Sequence, residues 1–141
     1  MIVIDTDIYS LLQAGTSHEA ARIAPRVLAE KDEIGVTIIT YEEQMRGWLA
    51  FLSKAKDESK RIFAYGRLKE MLDDFAKLRV IIYDQEASFH YTRLRTAKIR
   101  VGTMDLKIAA IALAHSATLI TRNLRDFQKI VGLKIEDWTK D

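Results

Sequence analysis

Met1-Ile2-Val3-Ile4-Asp5-Thr6-Asp7 opens the chain with a four-residue apolar run closed by a carboxylate. A strand buried on both faces carries apolar side chains at successive positions, whereas a half-exposed strand alternates apolar with polar ones. The run therefore predicts a buried parallel strand over residues 1–4 that ends at Asp5. Ile8, Leu11 and Leu12 follow at helical spacing, and Gly15 stops that short helix.

The same alternation of strand and helix continues along the chain. A helix is expected over residues 17–30, with a kink or restart at Pro25, because proline in a helix interior costs about 3 kcal/mol. Residues 34–39 are rich in β-branched side chains and predict a second strand, after which Thr40 opens a helix to about residue 53. Residues 56–78 place Ile62, Phe63, Tyr65, Leu68, Met71, Leu72, Phe75 and Leu78 at helical spacing beside a charged face, the pattern of an amphipathic helix. Residues 80–83 predict a third strand, and Asp84 caps a helix that continues over 87–94. Thr103 is expected to cap an apolar, central helix carrying Leu106, Ile108, Ile111 and Leu113. A fourth strand follows at 118–121, Asn123 caps a short helix with Phe127 and Ile130, and 133–135 can add a small last strand. Strands separated by helices need crossover connections, which make the sheet parallel and put helices on its faces. The fold class expected is α/β: a single three-layer domain over residues 1–141, with a four- to five-stranded parallel sheet flanked by helices.

Composition limits the chemistry. At 141 residues the chain is about one domain, by the usual ~100–200 residues per domain. With 48% hydrophobic and 30% charged residues it can bury a core, and it matches neither disorder nor collagen. The absence of cysteine excludes disulfides, thiolate-held zinc or iron–sulfur sites and thiol catalysis. His18, His90 and His115 have no mutual metal-ligand spacing and read as structural or surface residues. A catalytic metal would have to be held by oxygens. The net charge of +2 does not single out a nucleic-acid binder. No basic leader precedes the first strand and no apolar run approaches the ~18 residues of a membrane span, so a cytoplasmic protein without a membrane partner is expected.

In open α/β sheets, sites form outside the carboxyl ends of the strands. Asp5 ends the first strand, Glu43 lies just past the second, Asp105 starts the apolar helix, and Asn123 and Asp126 follow the fourth. Carboxylates gathered at one edge raise one another's pKa and call for a cation. Mg²⁺ suits, since it takes oxygen ligands, keeps waters and is shared between carboxylates and a substrate phosphate. It would polarise a phosphoryl oxygen and lower the pKa of a water, so metal-assisted phosphodiester hydrolysis is the expected reaction. Thr6 and Thr121 are placed to hydrogen-bond the carboxylates.

Each acid also has a structural explanation. Thr40-Tyr41-Glu42-Glu43 fits a capping box in which Glu43 reaches back to its own helix N-terminus. Asp105 and Asp126 can complement helix dipoles, and Asp7 and Glu42 read as solvated or helix-start residues. Asp5 resists such a reading best, because an acid closing a strand of Met, Ile and Val needs a compensating partner.

Three stretches resemble the PIN-domain family, in particular the VapC-type toxins of toxin–antitoxin pairs. They are Ile4-Asp5-Thr6-Asp7, then Ile39-Thr40-Tyr41-Glu42-Glu43-Gln44-Met45-Arg46-Gly47, then the segment from Gly102-Thr103-Met104-Asp105 through Thr121-Arg122-Asn123-Leu124-Arg125-Asp126-Phe127. The resemblance spans nearly the whole chain in the family's order. It implies a Mg²⁺- or Mn²⁺-dependent endoribonuclease that leaves 3′-hydroxyl and 5′-phosphate ends, commonly a homodimer, held inactive by a small VapB-like antitoxin. Asp5, Glu43 and Asp105 match the family's first three acids and are the metal ligands it implies. At the fourth position some members carry an acid directly after Thr-Arg, whereas this chain has Asn123, with Asp126 three residues on. An amide adds no charge, so one tightly held metal is expected, with Asn123 or Asp126 in support.

Other readings stay open beside this one. Arg93, Arg95, Lys98 and Arg100, in an acid-free stretch before Asp105, can track RNA phosphates or form an ordinary solvated helix end. Tyr9, Trp48, Phe63 and Tyr65 can line a dimer or antitoxin groove or belong to the core. A phosphatase with an aspartyl-phosphate nucleophile also starts from a strand ending in Asp-x-Asp, but no lysine-plus-acid pair can be placed for it downstream. A non-catalytic PIN-like binding module is the second alternative, and Asn123 is the feature that favours it.

Overall fold

In the computed structural model, which describes residues 1–140, five parallel strands form one sheet in the order β3-β2-β1-β4-β5. The strands are β1 (Ile2–Ile4), β2 (Ile34–Thr37), β3 (Val80–Ile81), β4 (Thr118–Ile120) and β5 (Lys134–Glu136). Seven helices connect them: α1 (Thr6–Ala14), α2 (His18–Ala29), α3 (Ile38–Lys54), α4 (Glu58–Lys77), α5 (Gln85–Thr96), α6 (Thr103–Ala114) and α7 (Leu124–Phe127). Asp141 lies outside the described residues.

The side-chain period of two along the strands divides the interior into two cores. Val3, Leu119 and Ile81 face one core, with Ala87, Leu94, Leu106, Ile111 and Phe127 from α5, α6 and α7. Ile4, Ile120 and Val36 face the other, with Ile8, Ile23, Met71 and Phe75 from α1, α2 and α4. The expected three layers follow. Helix α6 is buried nearly all round, with Leu106 and Ile108–Ala112 inside, as its apolar sequence predicts.

Several boundaries differ from the sequence reading, each for a local reason. β2 stops at Thr37, not residue 39, because the Thr37 hydroxyl accepts from the Thr40 amide at 3.3 Å and starts α3 at Ile38. Gly102 takes the cap position of α6 without a side-chain bond, and Thr103 is its first helical residue. α2 runs through Pro25 without a restart, anchored by buried Ala20 and Ile23 in the turns before it. Over residues 56–78 the apolar set is wider than the buried stripe of α4: Met71 and Phe75 are buried, whereas Ile62, Phe63, Tyr65 and Leu72, and Leu78 just past the helix, are exposed. β3 has two residues where four were expected. Gly15 stops α1 in the left-handed region at φ 69°, where an L side chain is strained.

Gly35 is fixed by close packing in β2. A Cβ there would lie 2.9 Å from Ile81 Cδ1 and 3.1 Å from the Arg79 carbonyl oxygen, which the sheet holds in place. Gly35→Ala should therefore destabilise the protein by about 1–3 kcal/mol, seen as a lower urea midpoint at unchanged slope.

Candidate active site

β1 sits mid-sheet with β2 on one side and β4 on the other, so chain order reverses between β1 and β4. A crevice opens outside the carboxyl ends at such a switch point. Here it is a cleft of about 530 Å³ lined by Asp5, Thr6, Asp7, Glu43, Asp105, Arg122 and Asn123.

Asp5 is held at the floor, only 4% exposed. Its Oδ1 accepts from the Ile8 amide at 2.8 Å, which makes it the N-cap of α1, and the Thr121 hydroxyl bonds its carboxyl group. Thr121 in turn accepts from the Asn123 amide at 2.9 Å. Burial pushes the Asp5 carboxyl up to about 6, against these hydrogen bonds and with help from Asp7 and Asp105. A carboxylate in that environment is short of positive charge.

Glu43 does not close a capping box. Thr37 is the cap, Thr40 lies inside α3, and Glu43 Oε1 accepts from the Thr6 hydroxyl at 2.6 Å. Thr6 has one proton and gives it to Glu43, so the Thr40 hydroxyl donates to Thr6 across their 3.0 Å contact. A chain from α3 through Thr40 and Thr6 thus holds Glu43 in the cleft. Its neighbour Glu42 pairs outside with Arg46 at 2.6 Å.

Asp105 stands in the first turn of α6, half-buried. Burial raises its pKa most, and repulsion from Glu43, then Asp126 and Asp7, adds to it. Asp105, Glu43 and Asp5 therefore share one electrostatic field although they come from three separate elements. Among the described residues, no three carboxylate or imidazole side chains stand close enough to form a complete metal cage by themselves.

The structure separates the two candidates for the fourth position. Asn123 lines the cleft and caps α7, accepting from the Asp126 amide at 3.4 Å. Asp126 is engaged elsewhere: the Asn123 amide donates to Oδ2 at 3.0 Å and Lys129 reaches Oδ1 at 3.3 Å. The Asn123 amide and then the ammonium hold the Asp126 carboxyl below its usual range.

Arg93, Arg95, Lys98 and Arg100 are all exposed on α5 and the loop after it, and none lines the cleft. Arg93 contacts His90 Nδ1 at 3.0 Å, and Arg95 lies 5.8 Å from the Tyr91 ring. Tyr9 belongs to the core, whereas Trp48, Phe51 and Phe63 form a ring cluster between α3 and α4 with centroids 5.7–6.1 Å apart. No lysine lines the cleft among the described residues, which leaves an aspartyl-phosphate route without its partner.

A family model for the PIN domain matches residues 2–133. The chain belongs to the PIN-domain family. This PIN domain is 31% identical over 119 residues to Ribonuclease VapC2 of Rickettsia felis, covering 81% of each chain. It is 32% identical over 127 residues to Ribonuclease VapC1 of Haemophilus influenzae, covering 82% of this chain and 87% of that one. Among solved structures, it superposes with a TM-score of 0.75 on a chain of DNA-bound VapBC from Salmonella typhimurium, at 26% identity, covering 98% and 99% of the two chains. The expected α/β fold and the family resemblance are thereby borne out.

The sequence reading passed over Asp7 and Arg122 as a pair. Arg122 Nε and Nη2 donate to the two Asp7 oxygens at 2.7 and 2.8 Å across the mouth of the cleft. The signal was a basic residue two positions past the end of β4, opposite an acid three positions past the end of β1. Local motifs do not reveal partners 115 residues apart.

Proposed function

We propose that this PIN domain is a metal-dependent endoribonuclease, the toxin of a VapBC-type pair, with its reaction centre in the cleft between β1 and β4. The observation that carries this reading is the convergence of Asp5, Glu43 and Asp105 on one cleft with an all-oxygen set of donors. Burial and mutual repulsion hold Asp5 and Asp105 above the usual carboxylate range, which favours a bound cation. Mg²⁺ or Mn²⁺ fits, because such an ion completes its shell with water and substrate oxygens and does not need a full protein cage. Asp5, Glu43 and Asp105 would hold it. When bound, it supplies Lewis-acid polarisation of the phosphoryl group and a water of lowered pKa.

The chain's own residues do the rest. Ile8 N–H and Thr121 fix Asp5, Thr6 fixes Glu43, and Asn123 presents its amide at the rim. The exposed Arg93, Arg95, Lys98 and Arg100 raise the local concentration of a polyanion near the α6 end of the cleft. The partner follows the relatives: the related solved structures are VapBC complexes, so a small VapB-like antitoxin belongs to the reading, together with the homodimer that the family resemblance implies. No helix among the described residues is long and apolar enough to cross a membrane, and the reading places the protein in the cytoplasm.

The test is to incubate purified protein with end-labelled RNA and with DNA of the same sequence, in Mg²⁺ and in chelator. RNA alone should be cut, only with metal, leaving 3′-hydroxyl and 5′-phosphate ends. Cleavage in chelator, or 2′,3′-cyclic phosphate ends, would refute the metal-assisted route.

Thr6→Val removes the bond that holds Glu43. Losing a partner that orients a metal ligand typically costs 10–100-fold in metal affinity or activity. The Mg²⁺ concentration giving half-maximal cleavage should rise within about that range, and an unchanged half-point would remove Thr6 from the site.

A further inference from the structure

We propose that Arg122 binds a backbone phosphate of the RNA strand beside the reacting one, with Asp7 as the residue that positions it. The inference rests on the ribonuclease reading and adds to it a specific contact for the substrate. Four carboxylates line the cleft, Asp5, Asp7, Glu43 and Asp105, with Arg122 as the one cationic side chain among the lining residues. A phosphodiester strand entering such a cleft meets like charge. The reacting phosphate can be neutralised by a metal, but its neighbour needs a cation supplied by the protein.

Arg122 is built for that contact. A guanidinium carries five N–H donors in a planar fork. Asp7 takes one from Nε and one from Nη2, which leaves both N–H bonds of Nη1 and the second of Nη2 for another acceptor. The fork is thus held in one orientation before any ligand arrives, and the entropy of ordering it is spent in advance. Phosphate recognition by two parallel N–H bonds is the chemistry in which Arg exceeds Lys.

The alternative role, a structural tie between the ends of β1 and β4, gains little. The side chains of Arg122 and Asp7 are 38% and 50% exposed, and exposed ion pairs contribute only about 0–1 kcal/mol. The two strand ends are already joined by the Asp5 amide donating to the Ile120 carbonyl at 3.1 Å. The Arg93–Arg100 stretch can attract RNA, but none of its basic side chains lines the cleft to set the strand's register there.

The experiment measures binding, not turnover. Asp5→Asn protein in chelator is titrated with a labelled single-stranded RNA of mixed sequence at several salt concentrations, alone and with Arg122→Ala or Arg122→Lys. Arg122→Ala should weaken binding about tenfold, the worth of a charge-assisted hydrogen-bonded contact. It should also lower the slope of log K against log salt by about 0.7, the value for one phosphate on a single strand. Arg122→Lys should keep the slope and recover part of the affinity. Melting temperatures should stay close together. An Arg122→Ala slope equal to that of the parent overturns the inference and leaves the ribonuclease reading standing. No RNA binding by the parent at any salt also overturns the inference, while the ribonuclease reading falls only on its own cleavage test.

Discussion

At neutral pH the Asp5→Asn protein should melt above the wild type in metal-free buffer, while its RNA cleavage in Mg²⁺ falls by about a thousandfold, equivalent to several kcal/mol of lost metal-assisted stabilisation. The two effects have one cause. Asp5 is 4% exposed, and burial pushes its carboxyl from 3.8 up to about 6. At about 1.4 kcal/mol per pH unit, keeping it ionised in the native state above pH 6 costs roughly 3 kcal/mol. Asparagine keeps an oxygen to accept from the Ile8 amide, now at 2.8 Å, and carries no charge to desolvate. Part of the gain is lost because its NH₂ must use the Thr121 hydroxyl as acceptor. A net stabilisation of about 1–2 kcal/mol is therefore expected by thermal or urea unfolding. A variant that unfolds more easily than the wild type in chelator would show that Asp5 serves α1 more than the cleft.

Cleavage at subsaturating Mg²⁺ should fall steeply below pH 6, while the stability of the metal-free protein moves the opposite way. A protonated carboxyl is no ligand, so metal affinity drops tenfold per pH unit once Asp5 is protonated, and more steeply where Asp105, raised by burial and by Glu43, follows. For stability, the native state holds the Asp5 proton up to about 6, whereas the unfolded chain releases it near 3.8. Between those values the native state binds more protons, so the unfolding free energy falls as pH rises from about 4 to about 6 and levels off above. Saturating Mg²⁺ should move the cleavage profile towards acid, because the metal competes with the proton. Rates at fixed low Mg²⁺ between pH 5 and 8, beside melting curves in chelator, check both signs. A flat rate across pH 5–7 would contradict the role given to Asp5.

The elements that local chemistry dictates were legible in the sequence. An uninterrupted apolar run ending in Asp5 is a buried strand, Gly15 ends α1, and Asp84 and Asn123 cap the helices that follow them. The order of these pieces placed Asp5, Glu43 and Asp105 at one sheet edge. What stayed hidden depended on tertiary contacts. Thr40 and Glu43 match a capping box in one dimension, but Thr37 starts the helix one turn earlier and Thr6 claims Glu43. Ile62, Phe63, Tyr65 and Leu72 have helical spacing, yet α4 buries only one narrow stripe. The Asp7–Arg122 pair spans the sheet's switch point, and no spacing rule reaches that far.

The most direct measurement is cleavage of an end-labelled RNA pool by wild-type and Asp5→Asn proteins, prepared identically, as Mg²⁺ is titrated into metal-free samples. The wild type should turn on with Mg²⁺ while Asp5→Asn stays silent at every concentration. Cutting by the wild type in chelator, or an Asp5→Asn curve that follows the wild type, would contradict a metal-dependent ribonuclease centred on this cleft.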